Sequence, residues 1–157
     1  MLLIAYASKS GTAREAAESL ATLLPSATLV DLAQETPRSE DFDAIIIGSG
    51  VRMGSINKLA KEFMDKNENV LLTKRFAFFI THSFTDTSDE IIDRAVSAQL
   101  RSHAVWIGPV GGLLQMERIK GLDRFIAKAA TKSVEEGQKI NEGLDVTALK
   151  ELAACFE

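Results

Sequence analysis

One pattern limits the folds open to this chain more than any other: five short apolar runs alternate with stretches whose apolar residues recur at helical spacing. The runs are Leu2 to Ala7, Ala27 to Leu32, Asp43 to Gly48, Arg75 to Thr81 and Ala104 to Gly108. After the first, apolar residues fall at 13, 16, 17, 20, 21 and 24, with Arg14, Glu15 and Glu18 on the other face. Further helical stripes are Ile56, Leu59, Ala60, Phe63 and Met64; Ile91, Ile92, Ala95 and Val96; and Ile119, Leu122, Phe125, Ile126 and Ala129. Val146, Leu149, Leu152, Ala153 and Phe156 form a last stripe, after a break at Asn141-Glu142-Gly143. Thr87 followed three residues later by Glu90 is a capping-box signature. Strands alternating with helices pair in parallel and carry helices on both faces, and a run such as Ile45-Ile46-Ile47 suits a strand covered on both sides. At 157 residues the chain fits a single domain spanning 1–157. The expectation is an α/β three-layer sandwich with a five-stranded parallel sheet in the order 2-1-3-4-5. Its winding reverses between strands one and three, and a ligand would sit at their C-terminal ends. The loops facing that crevice are Ala7 to Thr12, Gly48 to Asn57 and Thr81 to Asp86.

The first of these loops carries the clearest chemistry. Ser8, Ser10 and Thr12 bring hydroxyls, Gly11 brings conformational freedom, and Lys9 brings a charge, all just before a helix whose first N–H groups lack partners. With the positive end of the helix dipole and the N–H groups up to Ala13, this is a cradle for a phosphate dianion. A single hydroxyl would suffice if the loop only capped the helix. The sequence has neither the Gly-x-x-x-x-Gly-Lys-Ser/Thr of a nucleoside-triphosphate loop nor the three glycines of a dinucleotide-binding turn.

The other two loops suit a flat ligand. Ser49-Gly50-Val51-Arg52-Met53-Gly54 follows Gly48, and so many glycines let backbone approach a ring closely, or serve only a tight turn. Thr81-His82-Ser83-Phe84-Thr85 combines backbone polar groups with one aromatic ring. His103 reads as a surface or capping residue. The lone Cys155 has no partner for a disulfide and reads as a packing residue. A net charge of −4 without a basic stripe argues against nucleic-acid binding. No segment is long enough to span a membrane, which leaves peripheral membrane contact open; a cytoplasmic protein is the expectation.

Ser8-Lys9-Ser10-Gly11-Thr12-Ala13 resembles the FMN-phosphate loop of flavodoxins and of the flavodoxin-like domain of diflavin reductases. The resemblance implies FMN as cofactor and electron transfer to a redox partner protein or a quinone. It implies further that Ser49 to Gly54 lie along the flavin, with the Met53-Gly54 peptide able to rotate toward N5, and that Thr81 to Thr85 meet the pyrimidine edge and ring face. Flavodoxins usually shield the ring with Trp or Tyr. Here the only Trp, Trp106, and the only Tyr, Tyr6, fall inside strands, which leaves Arg52, Met53 and Phe84 as ring contacts. Receiver domains share the topology but need acidic residues where this chain has Ala7-Ser8 and Gly48-Ser49, and a low-molecular-weight phosphatase needs a Cys after strand one.

Ser49 to Gly54 together with Gly108-Pro109-Val110-Gly111-Gly112-Leu113 and Leu122 to Lys128 also resembles the flavodoxin-type, quinone-linked protoporphyrinogen dehydrogenases. Three functions follow as expectations: an FMN-binding electron carrier, a flavin-dependent protoporphyrinogen dehydrogenase or quinone-linked oxidoreductase, and a flavin-free binding module on the same fold. Acidic Asp86, Asp89 and Glu90 beside the third loop suit the carrier. Arg52, Met53, Leu113, Leu114, Met116 and Arg118 would line a substrate site in the dehydrogenase.

Overall fold

The computed structural model describes residues 1–82, 87–112 and 143–157. The helix expected over Ile119 to Ala129 lies outside the described residues, as do Leu113, Leu114, Met116, Arg118 and Leu122 to Lys128.

The chain runs β1 (Leu2–Ala7), α1 (Thr12–Leu23), β2 (Thr28–Asp31), a 3-10 turn (Ser39–Asp41), β3 (Ala44–Arg52), β4 (Ser55–Ile56) and α2 (Lys58–Lys66). It continues through α3 (Glu68–Leu71), β5 (Arg75–Thr81), α4 (Ser88–Ala95), α5 (Ala98–His103), β6 (Trp106–Pro109) and α6 (Val146–Ala154). The sheet order is β2-β1-β3-β5-β6, all in parallel, with β4 paired antiparallel to β3 alone. Leaving out that two-residue return, this is the expected 2-1-3-4-5 order.

Strand alternation divides the interior into two cores. Leu3, Ala5, Ile45, Ile47, Phe76, Phe78 and Ile80 meet Ala60, Phe63, Met64, Leu71, Ile91, Ile92 and Leu100 on one face. Ile4, Tyr6, Ile46, Ala77 and Phe79 meet Ala16, Ala17 and Leu20 of α1 and Leu149, Leu152 and Ala153 of α6 on the other. Tyr6 is a core residue, as its place in a strand predicts, and Trp106 packs partly buried against the second core. Cys155 follows α6, where its thiol approaches the carbonyls of Glu151 and Val105.

Three local expectations need correction. The run from Asp43 does not end at Gly48: β3 continues to Arg52 and returns through Met53-Gly54 into β4. Ile56 therefore belongs to β4, and Leu59 at the start of α2 is 39% exposed, so the α2 stripe is only Ala60, Phe63 and Met64. Thr87 precedes α4, but its side chain makes no capping hydrogen bond. Asn57, Ser97 and Asp145 do cap their helices, accepting from Leu59, Leu100 and Ala148 N–H groups respectively.

Candidate functional site

Strand register aligns the C-terminal ends of the central strands: Ala7 stands beside Ser49, and Gly50 beside Thr81. The loop after β1 and the start of α1 close one side of this end. Gly11 is the N-cap of α1, in the left-handed conformation (φ 93°), with no side-chain capping bond. Glycine is the residue that adopts this φ without a Cβ penalty. The Gly11 N–H donates to Ser8 Oγ at 2.9 Å, tightening the loop, and that hydroxyl keeps its own proton for a further bond. Ser10 Oγ and Thr12 Oγ1 lie 3.5 Å apart at the helix mouth. The hydroxyls are thus not used as caps, and the first-turn N–H groups keep their usual need for partners. Lys9 is exposed, while Thr12 and Ala13 are buried. Lys9, Ser10, Gly11 and Arg14 line an open depression with Glu15 and Glu18. Arg14 pairs with Glu18 at 3.0 Å, and that hydrogen bond raises its pKa further. Below the loop, burial and then the charge of Asp31 push the Tyr6 phenol above its ordinary pKa, so it stays protonated.

The second segment is a hairpin rather than an open loop. Met53 (φ 55°) and Gly54 (φ 77°) are both left-handed, the signature of a two-residue type I′ turn. Ser49, fully buried, donates to Gly50 O at 2.7 Å and accepts from Asn57 N–H at 2.8 Å, so it fastens the hairpin to the start of α2. Gly48 is a packing requirement: a Cβ there would lie 2.0 Å from Phe79 Cζ. Gly50 faces open space apart from Thr81 Oγ1, 3.9 Å from where its Cβ would be. Val51 packs partly buried against the first core, whereas Arg52, Met53 and Gly54 are exposed.

From the third segment the structure describes Thr81 and His82; Ser83, Phe84, Thr85 and Asp86 lie outside the described residues. Thr81 is 4% exposed, and its hydroxyl makes no hydrogen bond. Such an orphan usually belongs with a ligand or water. The His82 N–H donates to Gly111 O at 3.1 Å. A Cβ on Gly112 would lie 3.2 Å from His82 N, 3.4 Å from Thr12 Cγ2 and 3.5 Å from Thr81 Cβ, so the first and third segments meet over Gly112. His103 lies elsewhere, with its ring bonded to the Lys74 carbonyl. Among the described residues no group of His, Cys, Asp and Glu is placed to hold a metal ion. Among the same residues no helix is long and apolar enough to cross a membrane.

Sequence reasoning missed Arg94. It sits in the last turn of α4 and donates from Nη2 to Gly54 O at 2.6 Å, and nothing local in the sequence announces a contact across forty positions.

This geometry can hold a phosphate at the start of α1, with hydroxyl and backbone groups of β3 and β5 alongside. The flavodoxin domain profile matches residues 3–141, and the chain belongs to that family. Oxidised flavodoxin 1 from Bacillus cereus superposes with a TM-score of 0.54 at 18% identity, covering 83% of this chain and 97% of that one. An oxidoreductase from Corynebacterium diphtheriae gives 0.54 at 16% identity, over 99% of this chain and 96% of its own. Rubredoxin oxygen:oxidoreductase from Desulfovibrio gigas gives 0.57 at 14% identity, over 99% of this chain but 36% of that longer one. At these identities the likeness is one of fold. No curated protein sequence matches the chain.

Proposed function

We propose that this chain binds one FMN in the crevice and passes electrons between redox partners. The observation that carries the reading is the mouth of α1: a left-handed Gly11 cap, a turn closed on Ser8, and two hydroxyls that leave the cap unmade. Membership of the flavodoxin domain family supports it. Bound there, FMN would supply the redox chemistry, and the protein supplies binding and electrostatics.

Ser8, Ser10, Gly11, Thr12 and the Ala13 N–H hold the phosphate, with Lys9 adding charge from the rim. The orphaned Thr81 hydroxyl gains a polar partner from the ligand, beside the side-chain-free face of Gly50. Arg52 and Met53 stand exposed at the hairpin end, where a ring would lie along Ser49 to Gly54. The His82 backbone lies beside this site, and by the family resemblance Ser83, Phe84 and Thr85 would meet the pyrimidine edge. Exposed Asp89 and Glu90 in the first turn of α4 favour a redox protein with a basic face over a quinone. The setting we infer is the cytoplasm.

The test is uptake of FMN by purified protein, read from its visible spectrum. Retention of stoichiometric flavin, with salt-sensitive electron exchange to a redox protein, supports the carrier. Failure to take up FMN leaves the flavin-free module. Oxidation of protoporphyrinogen with a quinone acceptor, well above the rate of free FMN, replaces the carrier with the dehydrogenase.

A further inference from the structure

The hairpin tip is strained and is held from outside the crevice. Among the described residues Met53 is the non-glycine residue with positive φ, at 55°, and it is 78% exposed. A turn of this type favours Asn or Gly at its first position, because a Cβ in the left-handed region is penalised. An exposed Met recovers little of that penalty by burial. Strain of this kind persists where the surroundings over-determine it. Two contacts do so here. Ser49 fastens the base of the hairpin to Asn57, and Arg94 reaches from α4 to the Gly54 carbonyl at 2.6 Å. A charged donor on a carbonyl is stronger than a neutral one, and the planar guanidinium is pre-organised for it. α4 starts at Ser88, just after the third crevice segment, so Arg94 links the hairpin to the helix that follows that segment.

We propose that Arg94 is a positioning residue of the cofactor site: through the Gly54 carbonyl, its guanidinium holds the Met53-Gly54 tip in the conformation that receives the ring end of the flavin. The proposal rests on the FMN reading. Arg94 does not touch the phosphate cradle, which belongs to a different element. Its loss therefore weakens FMN and riboflavin by the same factor, unlike a change at the start of α1.

The experiment compares the full chain with Arg94→Ala and Arg94→Lys, after circular dichroism has shown all three folded. Amide hydrogen exchange is followed over residues 51–57 in the flavin-free protein, and affinities for FMN and riboflavin are read from flavin fluorescence. Arg94→Ala should speed exchange in the hairpin and weaken both flavins about tenfold, the loss expected of one charged hydrogen bond, with α1 unaffected. Arg94→Lys, which keeps one donor, should recover part of both effects and keeps the proposal testable if the Ala variant does not fold. Unchanged affinities with faster exchange would remove the positioning role while leaving the tether and the FMN reading. Loss of FMN affinity with riboflavin spared would overturn the assignment to the ring end. A wild-type chain that binds neither flavin would sink the FMN reading and the positioning role together, and exchange would still report whether the tether exists.

Discussion

The loop after β1 and the hairpin after β3 flank one crevice and draw on the same residues, serine and glycine, to opposite ends. In the hairpin three such residues have a task within the chain. Ser49 both donates and accepts, Gly48 makes room for the Phe79 ring, and Gly54 completes the turn. In the first loop Ser8 closes a turn, while Ser10 and Thr12 stand together at a helix start that neither caps. Counting hydroxyls and glycines does not separate a binding loop from a structural one. What separates them is what the groups join: Ser49 ties a strand to the start of the next helix, whereas Ser8, Ser10 and Thr12 bond to near neighbours at a helix mouth.

That contrast makes the first loop sensitive in binding and the hairpin sensitive in stability. The largest effect should come from Ser10→Ala with Thr12→Val, which removes both hydroxyls and keeps the methyl beside Gly112. At about 1.5–3 kcal/mol for each hydrogen bond to a charged group, FMN affinity should fall at least tenfold, with riboflavin affinity and melting temperature almost unchanged. Equal loss of both flavins in titrations would place the phosphate elsewhere. Next is Gly48→Ala, which drives a Cβ into a fully buried ring and should lower unfolding free energy by about 1–3 kcal/mol in urea titrations. Wild-type stability would mean that Phe79 can move aside. Gly54→Ala should cost roughly 1–2 kcal/mol through φ alone, because its Cβ would lie at an ordinary 3.7 Å from Arg94 Nη2. A redox titration of the FMN-loaded variant should also show shifted midpoint potentials, and unchanged ones would detach the tip from the flavin. The smallest effect runs the other way: Met53→Asn installs the preferred type I′ pair and should stabilise the fold by up to about 1 kcal/mol, measurable as a higher melting temperature.

The strands and their order were legible because the central strands are short apolar runs separated by helical stripes, and the first loop was legible because its boundaries coincide with a change of period at Ala7 and Thr12. The far half of β3 was not. Gly48-Ser49-Gly50 has the composition of a loop, and it is held extended by neighbours distant in sequence: Tyr6 and Ala7 on one side, Phe79 to Thr81 on the other. Sheet pairing overrides local preference there. The four-residue α3 and the six-residue α5 are too short for periodicity to reveal. Thr87 and Glu90 had the spacing of a capping box, but spacing does not fix the backbone angles that such a box requires; Thr87 sits at φ −105°, ψ 0°. Arg94 became visible only once the fold had brought α4 to the hairpin.

The two half-cores share a backbone but no side chain. Ile46 and Ile47, adjacent along β3, answer to different helices, so a change of volume at one is felt by α1 and α6 and at the other by α2 to α5. Cores tolerate hydrophobic exchange while volume and patterning are kept. A sheet clad this way can be rewritten on one face while the other holds it in register. Such stepwise freedom is a physical route by which a chain and a bacterial flavodoxin at 18% identity can arrive at the same architecture.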